Sequence, residues 1–155
     1  MQIREILPHD YPAIAQLFYE TVRTINRRDY TDAQVQAWAP RPDDSGRFQL
    51  RLHGTYAVVA EDQGEVVGFS NLTETGLIDF LYVHAQRQRQ GTASQLLHHL
   101  EATARSRGRT SLITHASITA KPFFEEQGFT VERAQQVERG GQVFRNYVMR
   151  KNVMG

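Results

Sequence analysis

Leu81-Tyr82-Val83-His84-Ala85-Gln86-Arg87-Gln88-Arg89-Gln90-Gly91-Thr92-Ala93 is the stretch on which the fold turns. It starts apolar, runs through a polar loop and enters a leucine-rich segment at Gly91. A strand that ends this way exposes the first N–H groups of the helix that follows, which lack intrahelical partners and sit at the positive end of the helix dipole. Backbone amides so placed can hold a phosphate or a diphosphate. Gly91 lets the backbone approach such a group closely, and Ala93 keeps the next turn uncrowded. The spacing Gln88-x-x-Gly91-x-Ala93 is not a Walker loop, because no Gly-Lys-Ser/Thr follows, and it is not the dinucleotide fingerprint.

Downstream, Ala93, Leu96, Leu97, Leu100 and Ala104 form one apolar stripe, with Arg105 and Arg107 in the last turn and Gly108 as the cap. Ser111 to His115 reads as a strand and Thr119 to Gln127 as a short helix stopped by Gly128. Phe129 to Val137 and Val143 to Met149 form a hairpin around Gly140-Gly141. Upstream, Leu77 to Val83 is apolar on both faces, which predicts a central strand. Ala57-Val58-Val59-Ala60 and Val66-Val67-Gly68-Phe69 pair across the turn at Asp62-Gln63-Gly64. Before them, Gln2 to Leu7 is a strand, and Asp10 is expected to cap a helix carrying Ile14, Leu17, Phe18 and Val22. Thr31 and Gln34 have capping-box spacing for a helix over Asp32 to Ala39. Asp43 or Ser45 is expected to cap a third, through Phe48, Leu50 and Leu52. This order predicts an α/β fold, a mixed sheet with helices on both faces, in a single domain over residues 1–155.

Composition narrows the function classes. The sequence has 18 Lys plus Arg against 17 Asp plus Glu, a formal net charge of +1, and no cysteine. Thiol nucleophiles, disulfides and thiolate metal sites are therefore excluded. The near-neutral charge makes nucleic acid a poor first partner. The six histidines show no His-Glu-x-x-His spacing, so no metal is expected. No Gly-x-Ser-x-Gly elbow is present. No apolar run suits a signal peptide or a membrane span, and a cytoplasmic location away from membranes is expected.

A second segment makes the reading specific: Ser117-Ile118-Thr119-Ala120-Lys121-Pro122-Phe123-Phe124-Glu125-Glu126-Gln127-Gly128-Phe129. Together, Gln88 to Ala93 and this segment resemble the GNAT superfamily of acetyl-CoA-dependent N-acetyltransferases. In that family the long-helix motif is Gln/Arg-x-x-Gly-x-Gly/Ala and a later helix ends in aromatic-Glu-x-x-Gly-Phe. Asn26-Arg27-Arg28-Asp29-Tyr30, Gln34 and Ala37-Trp38-Ala39-Pro40 are similar to a bacterial subgroup, so the likeness covers nearly the whole chain. It implies a mixed, mostly antiparallel sheet of about seven strands, splayed at the cofactor site.

The resemblance also implies roles. Backbone amides from Gln88, Arg89, Gln90, Gly91, Thr92 and Ala93 would hold the CoA diphosphate, with Arg87 or Arg89 adding charge. Leu81, Tyr82 and Val83 would pair with the pantetheine arm like an added strand. Ser117 stands where the family usually has Asn, and it either bonds the arm or caps the following turn. Of Phe123 and Phe124, one is expected in the core and one in the cleft. Arg28, Tyr30 and Trp38 would wall the acceptor site, although Trp38 reads equally as a packing anchor.

Acetyl transfer needs a neutral amine, and deprotonating an ammonium of pKa about 10.4 at pH 7 costs about 4 to 5 kcal/mol. Asp79 is the first candidate base, sharing strand parity with Leu81 and Val83 amid apolar neighbours. His115 is the second, on the same strand face as Ser117. Many relatives carry an acidic tyrosine where this sequence has Phe124; either CoA leaves as the thiolate and is protonated later, or Tyr147, less readily Tyr82, reaches the sulfur instead. The expected activity is acetyl transfer from acetyl-CoA to a small-molecule amine or an exposed protein amine. The alternatives are an acyl-CoA sensor without turnover, suggested by Phe124, and an RNA-binding module using Arg105, Arg107 and Arg109. Exposed strand edges leave a homodimer open.

Overall fold

The computed structural model describes residues 1–154. The strands are β1 (Gln2–Glu5), β2 (Tyr56–Asp62), β3 (Glu65–Leu72), β4 (Leu77–Val83), β5 (Ser111–Ser117), β6 (Thr130–Arg139) and β7 (Gln142–Asn152). The helices are α1 (Tyr11–Thr24), α2 (Asp32–Trp38), α3 (Ser45–Leu52), α4 (Thr92–Ser106) and α5 (Lys121–Glu126). One seven-stranded sheet runs β1-β2-β3-β4-β5-β7-β6, which places β4 at its centre as its two-sided apolar pattern requires. Every pairing is antiparallel except that of β4 with β5.

Two cores fill the space on either side of the sheet. Phe18, Phe48, Phe69 and Phe80 pack under α1 to α3, with ring centroids 5.1 to 6.1 Å apart in edge-on or tilted pairs. Leu96, Leu97 and Leu100 of the α4 stripe pack on Ile78, Leu112 and Met149 from the other side. The capping box of α2 forms as expected: Gln34 N–H donates to Thr31 Oγ1 at 3.1 Å and Thr31 N–H donates to Gln34 Oε1 at 2.8 Å.

Several local expectations are corrected. Asp10 does not cap α1 with its side chain; its carboxylate instead accepts from Leu7 N–H at 2.7 Å and from Arg4 at 2.8 and 3.0 Å. Asp44 occupies the N-cap of α3, without a side-chain cap bond, in place of Asp43 or Ser45. The helix expected from Thr119 begins at Lys121, because Ser117 Oγ accepts from Ala120 N–H at 3.0 Å and holds a turn ahead of it.

The largest departure lies in β4. Its register with β3 passes from Ser70↔Leu81 to Leu72↔Ile78, so three steps on β4 match two on β3. This bulge breaks the alternation of side chains. Ile78 joins the α4 core, Phe80 joins the α1–α3 core, and Asp79 reaches Arg51 on α3. Asp79 therefore does not share the face of Leu81 and Val83, and its expected apolar setting is replaced by an arginine partner. Buried Ser70 and Asn71 take up the backbone groups that the bulge frees. Ser70 Oγ donates to Phe80 C=O at 2.6 Å, and Phe80 N–H donates to Asn71 Oδ1 at 2.8 Å.

Candidate active site

β4 and β5 pair only at Leu77↔Ile113 and Ile78↔Thr114, then part. His84 N–H donates to Val67 C=O of β3 at 2.8 Å, so strand alternation turns the backbone of Leu81 and Val83 the other way, into the gap. Val83 C=O is occupied there by Thr21 Oγ1 at 3.0 Å and by Gln88 Nε2 at 2.7 Å. What faces the gap is a short edge able to pair with an extended ligand.

The gap opens into a cleft of about 700 Å³ that also reaches the start of α4. Arg89 and Gly91 adopt φ of +61° and +84°, curling the loop so that the chain enters α4 from its N-terminal end. Gln95 N–H to Gly91 C=O, at 3.0 Å, is the first α4 ladder bond, which leaves the preceding amides of the first turn free of intrahelical partners. A Cβ on Gly91 would meet nothing within 4 Å, so glycine is required there by its dihedral and not by crowding.

Most of the residues expected from sequence converge on this cleft. Leu81, Tyr82, Val83, Gln88, Arg89, Gly91, Thr92, Ala93, Ser117, Phe123 and Phe124 all line it, whereas Gln90 does not. Gln88 turns its side chain to the strand end, donating to Val83 and His84 carbonyls. Arg87 is tied to Asp62 at 2.7 Å, while exposed Arg89 has no acidic partner among the described residues. Phe124 is buried against Phe129 and Phe123 is half-buried at the cleft.

In the other half of the cleft, Asp79 accepts from Arg51 at 3.0 and 3.3 Å. His115 is exposed, lines the cleft and has no hydrogen-bond partner among the described residues. Tyr82 packs on Phe18 and Phe69, and burial pushes its phenol well above the ordinary value, so it stays neutral. Tyr147 does not line the cleft. It stands opposite Ala116 on the α4 side of the sheet, with Lys121 Nζ 5.3 Å from its ring centroid.

Arg28, Tyr30 and Trp38 line the cleft, but Tyr30 and Trp38 are each 8% exposed and pack against Phe144, tilted and edge-on respectively. Tyr30 also joins three elements: its hydroxyl accepts from Ile118 N–H at 2.9 Å and donates to Arg145 C=O at 2.8 Å. Burial raises its phenol above the ordinary value.

Sequence reading missed Asn26, Arg51, Arg139 and Asn146. Asn26 Nδ2 lies 3.5 Å from Ser117 Oγ, and the buried Asn146 Oδ1 beside it has no partner among the described residues. Arg139 enters because the β6–β7 tip folds onto α2, where a Cβ on Gly140 would come within 3.0 Å of the Ala37 side chain. Only the Gly140-Gly141 pair hinted at this, and it marks a turn without saying where the turn docks.

This architecture defines a class: a mixed sheet whose two central strands diverge beside an open helix N-terminus. The model of the acetyltransferase (GNAT) domain matches residues 26–151, and the chain belongs to that family of acetyltransferases. It is 35% identical over 150 residues to the protein named Uncharacterized N-acetyltransferase YafP of Escherichia coli K12, covering 97% of this chain and 95% of that one. Among solved structures, it superposes with a TM-score of 0.93 and 32% identity on a GCN5-related N-acetyltransferase from Rhodopseudomonas palustris, covering 97% and 94% of the two chains. The PaiA N-acetyltransferase of Thermoplasma acidophilum, solved with coenzyme A, shares the fold at a TM-score of 0.80 and 15% identity over 97% and 98%.

Proposed function

We propose that the protein, as one domain over residues 1–155, transfers an acetyl group from acetyl-CoA to a primary amine in a ternary complex. The carrying observation is the continuity of one cleft from the α4 amides to the β4–β5 gap. A diphosphate would sit at Arg89 to Ala93, with Arg89 supplying charge. The pantetheine arm would pair with the backbone of Leu81 and with Val83 N–H, setting the thioester in the gap. The α2 region, marked in sequence by Tyr30, Gln34 and Trp38, covers the acceptor side. A small-molecule amine or an exposed protein amine fits this open side.

The amine nitrogen attacks the thioester carbonyl, and the C–S bond of the resulting tetrahedral oxyanion then breaks. β4 amides facing the gap can stabilise the oxyanion. His115, unpaired in the cleft, takes the amine proton. Asp79 has both carboxylate oxygens engaged by Arg51, and its role is to orient the nitrogen. No tyrosine occupies the place of Phe124, so CoA leaves as the thiolate and is protonated by solvent. With a thiol pKa of about 8.5, that route forfeits only about 2 kcal/mol at pH 7. The thioester is already activated, and the step needs no metal.

The test is release of free CoA thiol when acetyl-CoA meets a panel of amines. Amine-dependent release is the expected result, and acetyl-CoA binding without release from any amine would favour a sensor.

A further inference from the structure

The acceptor half of the cleft is more positive than acetyl transfer alone requires. Arg28, Arg51 and Arg139 line the cleft, together with two carboxylates, Asp79 and Glu126 of α5. Arg51 already neutralises Asp79 at 3.0 Å. Arg28 and Arg139 have no acidic partner among the described residues, since Arg27 takes Asp32 and Asp29 accepts from Thr119. Behind them, Arg47 is pinned by its bond to Trp38 C=O at 3.1 Å and lies 5.0 Å from the Phe18 ring centroid. Its guanidinium is held below the ordinary value, first by burial and then by repulsion from Arg139 and Arg51. Tyr82 lines the same cleft as Arg51 and Arg139.

Guanidinium groups spread over a solvated surface are screened by water and salt. Here they converge on a concave site beside a half-buried arginine, where screening is weaker. Bringing a second ammonium within about 7 Å of such a charge at an effective dielectric constant of about 20 weakens binding by tens of fold. An anion in the same place gains instead through charge-assisted bonds.

Resting on the acetyl-transfer reading, we infer that the acceptor is an anionic amine. It carries a carboxylate or phosphonate a few bonds from nitrogen, held by Arg139 in the field of Arg47 and Arg51, with Arg28 on the same side. Polyamines, aminoglycoside-like polycations and lysine-rich peptides are disfavoured by the same field.

The experiment compares matched acceptors: L-phenylalanine with phenethylamine and with phenylalaninamide, 2-aminoethylphosphonate with ethanolamine, and spermidine as the polycation. The expected result is a kcat/KM at least about tenfold higher for the anionic member of each pair. The carboxylate and phosphonate arms show which anion is preferred. Arg139→Ala should bring each ratio towards one, mainly through KM, and Arg139→Lys should restore part of it, with acetyl-CoA affinity unchanged. Arg133→Ala, on the exposed part of β6, should leave the ratios as they are.

A preference for neutral or cationic acceptors, or an anionic preference that survives Arg139→Ala, would overturn the inference and leave acetyl transfer standing. Calorimetric titration of the CoA-saturated protein with the same compounds covers the case without turnover. Arg139-dependent binding of the anionic members alone would then support the anion site while the acetyl-transfer reading fails. No binding and no turnover by any of them would overturn both.

Discussion

His115 and Asp79 reach one cleft from β5 and β4, and the proposed mechanism gives them different work. In that mechanism the proton goes to His115, whose ring has no hydrogen-bond partner among the described residues, while both Asp79 oxygens accept from Arg51. His115→Gln should therefore lower kcat by about 10²- to 10⁴-fold with acetyl-CoA affinity unchanged. Asp79→Asn should act mainly on the KM for the amine, and steady-state kinetics on the two variants separates these effects. Equal loss of kcat in both would reassign the base. Gly91 acts through its backbone. Gly91→Trp forces a side chain onto a residue at φ +84° and places an indole over the free amides of α4. Acetyl-CoA affinity should fall at least about a hundredfold by calorimetry, while strain of about 1 to 2 kcal/mol lowers Tm by only about 2 to 8 °C.

Two joints between elements rest on buried polar side chains, Asp10 and Tyr30. Asp10 ties the end of β1 to the start of α1 through Arg4 and Leu7. Burial alone would raise its carboxyl, but the Arg4 bonds and Leu7 N–H outweigh burial and hold it below the ordinary value. A depressed folded value means that this stability is complete above the unfolded value of about 3.9 and fades as pH falls below it. Asp10→Asn should cost about 2 to 3 kcal/mol at pH 7 by urea unfolding, and the gap to the wild type should narrow at pH 3. Tyr30 is the second joint, bridging the loop after β5 to β7. Tyr30→Phe leaves Ile118 N–H and Arg145 C=O unpaired, for an expected loss of about 1 to 3 kcal/mol and a Tm lower by about 3 to 10 °C. An unchanged Tm would show that water replaces both bonds.

Over the whole molecule, features set by local chemistry were legible in the sequence. The α4 stripe, the Thr31–Gln34 capping box and the two-sided apolar run of β4 each follow from a few neighbouring residues, and each forms. The loop from Gln88 to Ala93 was legible for the same reason, since one glycine before an amphipathic helix fixes where its free amides lie. What depends on register was hidden. The β4 bulge reverses Asp79, and strand parity cannot reveal it because the cause is how Ser70 and Asn71 meet Phe80 across the sheet. Tyr147 has the right chemistry on the wrong face, and Arg139 enters the cleft only because a distant hairpin docks on α2.

The proposed activity depends on the cleft that joins the α4 amides to the strand gap. A crystal structure of the protein with CoA tests this most directly. The diphosphate oxygens should lie within about 3.2 Å of backbone nitrogens between Arg89 and Ala93, with the sulfur between β4 and β5 on the side of His115. A diphosphate bound elsewhere, or a pantetheine arm outside the strand gap, would contradict it.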